Sequence, residues 1–207
     1  MIALVDVCKS FNGHLVLSKM SLEVQKNEVA GLLGRSGCGK STILKLVAGL
    51  IRPDSGGVKV SSKKIGYIFQ EHRLIPWKTA LENVCFSLKA SGYANGESRE
   101  TAAEYIQKMG LAGFEDHYPA QLSGGMCQRV SIARAFAVKP DILLMDEPFS
   151  ALDLELKDVL LSIVHEMLTD HHSMTALYVT HNPEELKKIA HKIYTLSGKG
   201  RVEETTI

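Results

Sequence analysis

The segment of residues 34–41 has residue types and a spacing that suit phosphate binding. Its pattern is Gly-x-x-x-x-Gly-Lys-Ser, in which glycines let backbone N–H groups turn toward phosphate oxygens at the positive end of a helix dipole. We expect Lys40 to reach the β- and γ-phosphates, Ser41 to ligate Mg²⁺ and Thr42 to contribute near the α-phosphate. The residues predicted to bind a nucleotide here are Gly34, Ser36, Gly37, Cys38, Gly39, Lys40, Ser41 and Thr42.

A second candidate site follows the apolar run at residues 142–145, where Asp146 and Glu147 stand side by side. Ligands bind at the carboxyl ends of strands in open α/β sheets, so we expect Asp146 to hold the Mg²⁺ shell. Glu147 points in another direction and is a candidate for polarising an attacking water molecule. The alternative is a pair of solvated acids at a strand end.

The elements that must position these residues alternate between strands and helices. Strands are predicted over residues 2–7, 22–24, 29–33, 58–60, 65–69, 142–145, 176–179 and 192–196, and a loop over 53–57. Helices are predicted over 41–48, over 156–167 and after the cap Asn182-Pro183. This alternation predicts a parallel sheet covered on both faces, with an added antiparallel piece near the N-terminus.

Residues 74–138 have a different pattern, in which apolar residues recur at helical spacing. We interpret this segment as a helical insert. The chain is therefore predicted to be a single domain over 1–207, with a core of about 1–73 and 139–207 and a helical subdomain of about 74–138.

The composition limits the classes of partner. The chain has 207 residues, 45% of them apolar, which is enough for a substantial core, and a formal net charge of +1 that favours neither nucleic acid nor an anionic membrane. Its four cysteines form no C-x-x-C pair, which argues against a disulfide scaffold and indicates a reducing compartment. No apolar run reaches about 18 residues, so we expect no membrane span.

The most specific pattern lies between the two candidate sites, where residues 122–126 read Leu-Ser-Gly-Gly-Met and Gln128-Arg129 follows. It resembles the signature motif of the ATP-binding-cassette (ABC) ATPases, and the resemblance covers essentially the whole chain. It implies an α/β fold with a phosphate-loop (RecA-like) nucleotide-binding core, an antiparallel β subdomain and an inserted α-helical subdomain. The residues that would cap a γ-phosphate at a helix N-terminus are Ser123, Gly124 and Gly125.

Other positions match the family in order. Gln70 matches the lid glutamine that senses Mg²⁺, and His181 matches the switch histidine that contacts the γ-phosphate. Phe11 stands where the family places an aromatic ring against adenine, and residues 150–153 resemble the segment that crosses the dimer interface. Taken singly, Gln70 and His181 would be ordinary polar residues at strand ends, and Phe11 a core aromatic.

A subgroup is indicated by Pro76-Trp77, and by Met126 at a position where most family members carry glutamine. These residues resemble bacterial import ATPases of the nitrate, sulfonate and taurine type, a subgroup that also includes importers of thiamine-precursor pyrimidines. The alternative is that Pro76-Trp77 only packs the insert. The cargo itself does not touch such a subunit, so the sequence leaves it open.

The resemblance implies an ATP-hydrolysing subunit of an importer that uses ATP and Mg²⁺, with Glu147, His181 and Gln70 in catalysis. Two copies would associate head to tail, so that the phosphate loop of one and the Ser123 turn of the other hold each ATP. The expected partners are a second subunit, a separate membrane permease that is driven through Gln70 and residues 73–77, and indirectly an extracytoplasmic binding protein. We expect a cytoplasmic location, peripheral on the inner face of the cell membrane.

The alternative function is a soluble ABC ATPase that acts on nucleic acid or ribosomes. Repair relatives usually carry long coiled-coil insertions and translation relatives carry two cassettes, whereas this chain has one cassette and a short insert. A kinase or GTPase would leave the signature turn unexplained, and exporters commonly fuse the cassette to membrane helices. We therefore expect no nucleic-acid partner. In a head-to-tail pair Cys38 and Cys127 should approach each other, and mild oxidation could then crosslink two chains through them. The alternative, which we favour, is that both cysteines merely occupy positions that tolerate them. His171-His172 is interpreted as a solvated helix end.

Overall fold

The computed structural model describes residues 1–150, 152–170 and 174–205. The chain forms two compact units, the first made of residues 1–67, 141–147 and 167–207 and the second of residues 68–140 and 148–166. In chain order the strands are β1 (Ile2–Phe11), β2 (His14–Val24), β3 (Val29–Gly34), β4 (Ser55–Val60), β5 (Ile65–Ile68), β6 (Ile142–Asp146), β7 (Thr175–Thr180), β8 (Lys192–Ser197) and β9 (Arg201–Thr205). The α-helices are α1 (Lys40–Val47), α2 (Ala80–Ala90), α3 (Asn95–Lys108), α4 (Gly124–Ala137), α5 (Leu154–Asp170) and α6 (Pro183–Ile189).

The first unit is built on a six-stranded sheet with the order β5-β6-β7-β3-β8-β9. The pairs β6 with β7, β7 with β3 and β3 with β8 are parallel, as the alternation of strands and helices predicted. Every residue of β6 and β7 is buried, which explains why both read as continuous apolar runs instead of alternating patterns. The sequence did not predict β9, because four of its five residues are exposed and it carries no apolar alternation.

A second sheet in the same unit has three antiparallel strands in the order β2-β1-β4. Ile2 lies opposite Val24 on one side and Val60 on the other. The prediction of a loop over 53–57 is wrong for its last three residues, since β4 begins at Ser55. Gly56 contacts the backbone of Asp6 so closely that a side chain there would collide with it, and this close pairing of a glycine-rich segment gives no strand signal in the sequence.

The second unit is mainly helical, as predicted for the insert. Helices α2, α3 and α4 pack against one another and bury Val84, Leu88, Ile106, Val130 and Phe136. Helix α2 begins with a capping box, in which the Thr79 hydroxyl accepts from the Glu82 N–H and the Glu82 carboxylate accepts from the Thr79 N–H. None of the helices in the described part of the chain has the length and apolar character that crossing a membrane requires.

Candidate functional site

The phosphate loop joins β3 to α1 in the first unit, in the strand-loop-helix context that the motif needs. Gly39 precedes α1 with φ 108°, a left-handed conformation that L side chains rarely adopt. A Cβ atom there would also lie 3.0 Å from Leu17 and 3.1 Å from Val16. The loop therefore turns tightly into the helix and leaves the first N–H groups of α1 available for an anion.

Lys40 is held inside this loop, and its side chain is only 4% exposed. Its ammonium donates to the carbonyl oxygens of Gly34 at 2.8 Å and Arg35 at 3.0 Å, and lies 3.3 Å from Oε1 of Glu147. A buried ammonium needs such partners because desolvation of a charge is costly. The arrangement holds a positive charge beside the loop.

Ser41 and Asp146 meet at the end of β6 and provide oxygen ligands that suit Mg²⁺. The Ser41 hydroxyl donates to Oδ1 of Asp146 at 2.9 Å, and the Tyr67 hydroxyl lies 3.5 Å from Oδ2. Burial raises the pKa of the Asp146 carboxyl, and a neighbouring cation would offset this by favouring the charged form. A hydroxyl and a carboxylate are ligands that Mg²⁺ prefers, so these residues fit the ion that the sequence predicted.

Glu147 and His181 form the second part of the site. His181 Nδ1 lies 2.9 Å from Oε2 of Glu147, whose other oxygen faces Lys40. The Glu147 backbone has φ 44°, which costs about 1 kcal/mol or more for a residue with a side chain. Its N–H donates to the carbonyl of Val179 in β7 at 2.9 Å, and this bond helps to keep the strained residue in place.

Phe11 lies at the end of β1 and is 43% exposed, so it is not the core aromatic that it would be when taken singly. The Lys9 ammonium lies 5.4 Å from the centre of its ring and 2.6 Å from Oδ1 of Asp54. The Asp54 carboxylate also accepts from the Ser10 N–H at 2.6 Å, which ties the end of the strand to the residues before β4. An exposed ring on a fixed strand end is suitable for stacking on a base.

The predicted signature turn begins α4 in the second unit. Ser123 is the N-cap, and its hydroxyl oxygen accepts from the Met126 N–H at 3.2 Å. Ser123 and Gly124 are exposed, while a Cβ atom on Gly125 would lie 2.7 Å from a methyl group of Leu156. The turn therefore presents a helix N-terminus on the surface of its own unit.

Gln70 also belongs to the second unit, two residues beyond the end of β5. The segment after it is held by α4, through contacts that the sequence did not predict. Gln128 Oε1 lies 2.7 Å from His72 Nδ1, and the Arg134 guanidinium donates to the carbonyls of Arg73 at 2.8 Å and His72 at 2.9 Å. Gln128 and Arg134 both lie in α4, the helix that begins at the signature turn. Their positions shortly after that motif were the only indication of this contact in the sequence.

Asn83 holds the loop that carries the subgroup residues Pro76-Trp77. Its side chain accepts from the Ile75 N–H at 2.7 Å and donates to the carbonyls of Lys78 and Thr79 at 3.0 and 2.9 Å. Trp77 itself is 75% exposed, so the alternative that Pro76-Trp77 only packs the insert is wrong for the tryptophan.

The remaining cysteine and histidine hypotheses have different outcomes. Cys127 is 7% exposed, its thiol donates to the Pro119 carbonyl at 3.6 Å, and burial raises its pKa, all of which disfavour oxidation. His171 and His172 lie outside the described residues. So does Ala151, which belongs to the segment predicted to cross the dimer interface. Over residues 1–150, 152–170 and 174–205, no three His, Cys, Asp or Glu side chains are grouped to hold a metal ion.

Comparisons with known proteins agree with these features. A family model described as ABC transporter matches residues 17–150. An aliphatic sulfonates import ATP-binding protein of Pseudomonas syringae pv. tomato is 41% identical over 195 residues, covering 92% of this chain and 80% of that protein. A nitrate import ATP-binding protein of a Synechocystis species is 40% identical, covering 89% of this chain and 72% of that protein.

A solved structure is similar along the full length of both chains. It is a dimeric, post-hydrolysis state of the ATP-binding cassette MJ0796 bound to ADP and Pi, with a TM-score of 0.89 and 30% sequence identity. The matched region includes residues of both compact units, and the chain has the fold class of an ATP-binding cassette.

Proposed function

The chain belongs to the ABC transporter family, and we propose that it drives an importer of a small solute, of the nitrate, sulfonate or taurine type or a thiamine-precursor pyrimidine. It is an ATPase subunit of such an importer. The observation that carries the proposal is the cluster around the phosphate loop, in which Ser41 contacts Asp146 while Glu147 contacts both Lys40 and His181.

The roles of the side chains follow from their chemistry. Lys40 would neutralise charge on the β- and γ-phosphates, and Ser41 and Asp146 would hold Mg²⁺, which supplies charge stabilisation when it is bound. Glu147 would accept a proton from the attacking water or orient it, and His181 would contact the γ-phosphate. The Lys40 ammonium lies between the Gly34 carbonyl and the Glu147 carboxylate, and its charge keeps this carboxylate beside the loop.

The complete site would need two copies of the chain. The turn Ser123-Gly124-Gly125 at the start of α4, whose first two residues are exposed, would cap the γ-phosphate held by the phosphate loop of the other subunit. ATP would then be part of the interface and would stabilise the closed dimer by mass action. Hydrolysis would release the pair, and the surface around residues 73–77 would transmit that motion to a permease at the inner face of the membrane. An extracytoplasmic binding protein would deliver the cargo.

Glu147→Gln tests this assignment, because it keeps the size and hydrogen-bonding capacity of the side chain and removes its basicity. We expect the variant to bind ATP and to dimerise with it, while its kcat falls by a factor of about 100 or more, the usual contribution of a general base. ATP turnover, and mass in size-exclusion chromatography with and without ATP, would be measured. The control is Glu204→Gln on the exposed strand β9. Normal turnover by the Glu147 variant would contradict the assignment.

A further inference from the structure

Glu185 is a buried carboxylate on α6 that the roles above do not use. Its residue is 3% exposed, although it lies in the first turn of a helix whose neighbouring residue Glu184 is exposed. The Tyr178 hydroxyl donates to its Oε2 at 2.5 Å and the Thr180 hydroxyl donates to the same oxygen at 2.8 Å. The Asn182 side-chain amide lies 3.4 Å from Oε1. Three donors from β7 and the helix cap therefore converge on one carboxylate.

These donors surround His181 in sequence and fix the backbone on both of its sides. Thr180 precedes His181 and is bound directly to Glu185, while the Asn182 N–H donates to the Thr180 hydroxyl oxygen at 3.1 Å. The His181 side chain is 60% exposed and contacts Glu147 through Nδ1, so packing contributes little to its orientation. The position of the ring therefore depends on the backbone from which it extends.

The partner of His181 is fixed to the same strand. The Glu147 N–H donates to the carbonyl of Val179, which lies between two of the residues whose side chains contact Glu185. One buried carboxylate thus holds the strand end that supports both members of the Glu147–His181 pair.

We infer that Glu185 is a positioning residue for ATP hydrolysis, which holds the end of β7 so that His181 and Glu147 stay at hydrogen-bonding distance. This inference rests on the proposed role of His181. It differs from the general role of acids in the first turn of a helix, which is to stabilise the positive end of the helix dipole. Glu184, in contrast, is exposed and pairs with Lys187 at 2.7 Å, and within the described residues its side chain makes no hydrogen bond to β7 that would give it a positioning role.

The adjacent acids provide a matched pair of variants, Glu185→Gln and Glu184→Gln. Glu185→Gln weakens the hydrogen bonds that the Tyr178 and Thr180 hydroxyls donate to this side chain, because a neutral amide is a poorer acceptor than a carboxylate. We expect kcat for ATP to fall about tenfold in Glu185→Gln with a smaller change in KM, a factor that corresponds to one weakened charge-assisted hydrogen bond. Glu184→Gln should change kcat less than about twofold, as exposed substitutions usually do.

A double-mutant cycle separates positioning from general stability. In a His181→Ala background, Glu185→Gln should add less than about twofold to the loss of kcat, because residues that act through one another are not additive. An equal loss of kcat in both backgrounds, or no loss in the parent, would overturn the inference. If Glu185→Gln does not fold, Tyr178→Phe, which removes a single oxygen, takes its place in the same cycle.

A measurement that does not depend on hydrolysis keeps this inference distinct from the proposed function. The NMR signals of the His181 ring, identified by their loss in His181→Ala, should shift in Glu185→Gln and stay unchanged in Glu184→Gln. Unchanged signals in Glu185→Gln would overturn the positioning role even if the chain is an active ATPase. Shifted signals in a chain that does not hydrolyse ATP would show that Glu185 positions the His181 ring, and would contradict the proposed function and with it the role of this positioning in hydrolysis.

Discussion

Asp146 is a residue of the site whose surroundings disfavour its negative charge. The residue is 5% exposed, and burial is the main reason that its pKa is raised, followed on the same side by the negative charge of Glu147. The hydrogen bond from Ser41 opposes this effect without cancelling it. The negative charge that suits Asp146 to Mg²⁺ therefore lowers the stability of the metal-free fold at neutral pH.

Asp146→Asn should raise the free energy of unfolding of the metal-free chain near pH 7 while it abolishes Mg²⁺-dependent ATP binding. A carboxyl with a raised pKa in the native state loses stability as the pH rises through that pKa. The difference in the free energy of unfolding between Asp146→Asn and the parent should therefore become smaller as the pH falls toward about 4, where the carboxyl group is also protonated in the unfolded chain. Urea unfolding in a chelator across this range is the measurement, with Asp141→Asn as the exposed control. A loss of stability at pH 7 would contradict this account.

At the scale of elements, the end of β3 is where the sheet and the phosphate loop constrain each other. Gly34 pairs with Leu196 in β8 and is followed directly by the loop. A Cβ atom on Gly34 would lie 2.9 Å from the Leu196 carbonyl oxygen and 2.7 Å from the Cys38 sulfur. The glycine is therefore needed for close approach of two strands, in addition to the loop chemistry that the sequence indicated.

Gly34→Ala should lower the free energy of unfolding by about 1–3 kcal/mol, the usual range for overpacking, because one colliding atom belongs to backbone. Gly57→Ala in β4 is the matched control, since a Cβ atom there meets nothing within 4 Å and the residue does not have a positive φ. Both values would be obtained from urea unfolding. Equal losses in the two variants would show that the close contact with β8 is not the cause.

At the scale of the whole molecule, the proposal requires sites shared between two chains. Lys40→Ala should disable the phosphate loop, while Gly124→Glu should place a negative charge on the signature turn without collision, because a Cβ atom at Gly124 meets nothing within 4 Å. Each variant alone should be inactive. A mixture should recover about a quarter of the parent ATPase activity, because half of randomly paired symmetric dimers are mixed and each has one intact site. No recovery on mixing, in chains that are shown to exchange, would contradict shared sites.

The sequence alone determined the features that depend on residues near one another in the chain. The phosphate loop, the acids after β6, the signature turn and the cap at Asn182 are local patterns, and they indicated the fold class and the ATPase family that the comparisons then confirmed. Local patterns failed where the apolar signal was weak, as in the exposed strand β9 and in the glycine-rich start of β4. The boundaries of the helical subdomain and the roles of the site residues remain predictions.

Only the tertiary structure decided which side chains contact one another across the chain. Tyr67 and Asp146 are 79 positions apart and His72 and Gln128 are 56 apart, so no periodicity or spacing relates them. The tertiary structure also distinguishes the adjacent acids Glu184 and Glu185. Glu184 faces solvent, whereas Glu185 is buried and faces the hydroxyl groups of β7. Residue type and spacing can determine which chemistry is available, whereas the packing of strands from distant segments determines which atoms meet.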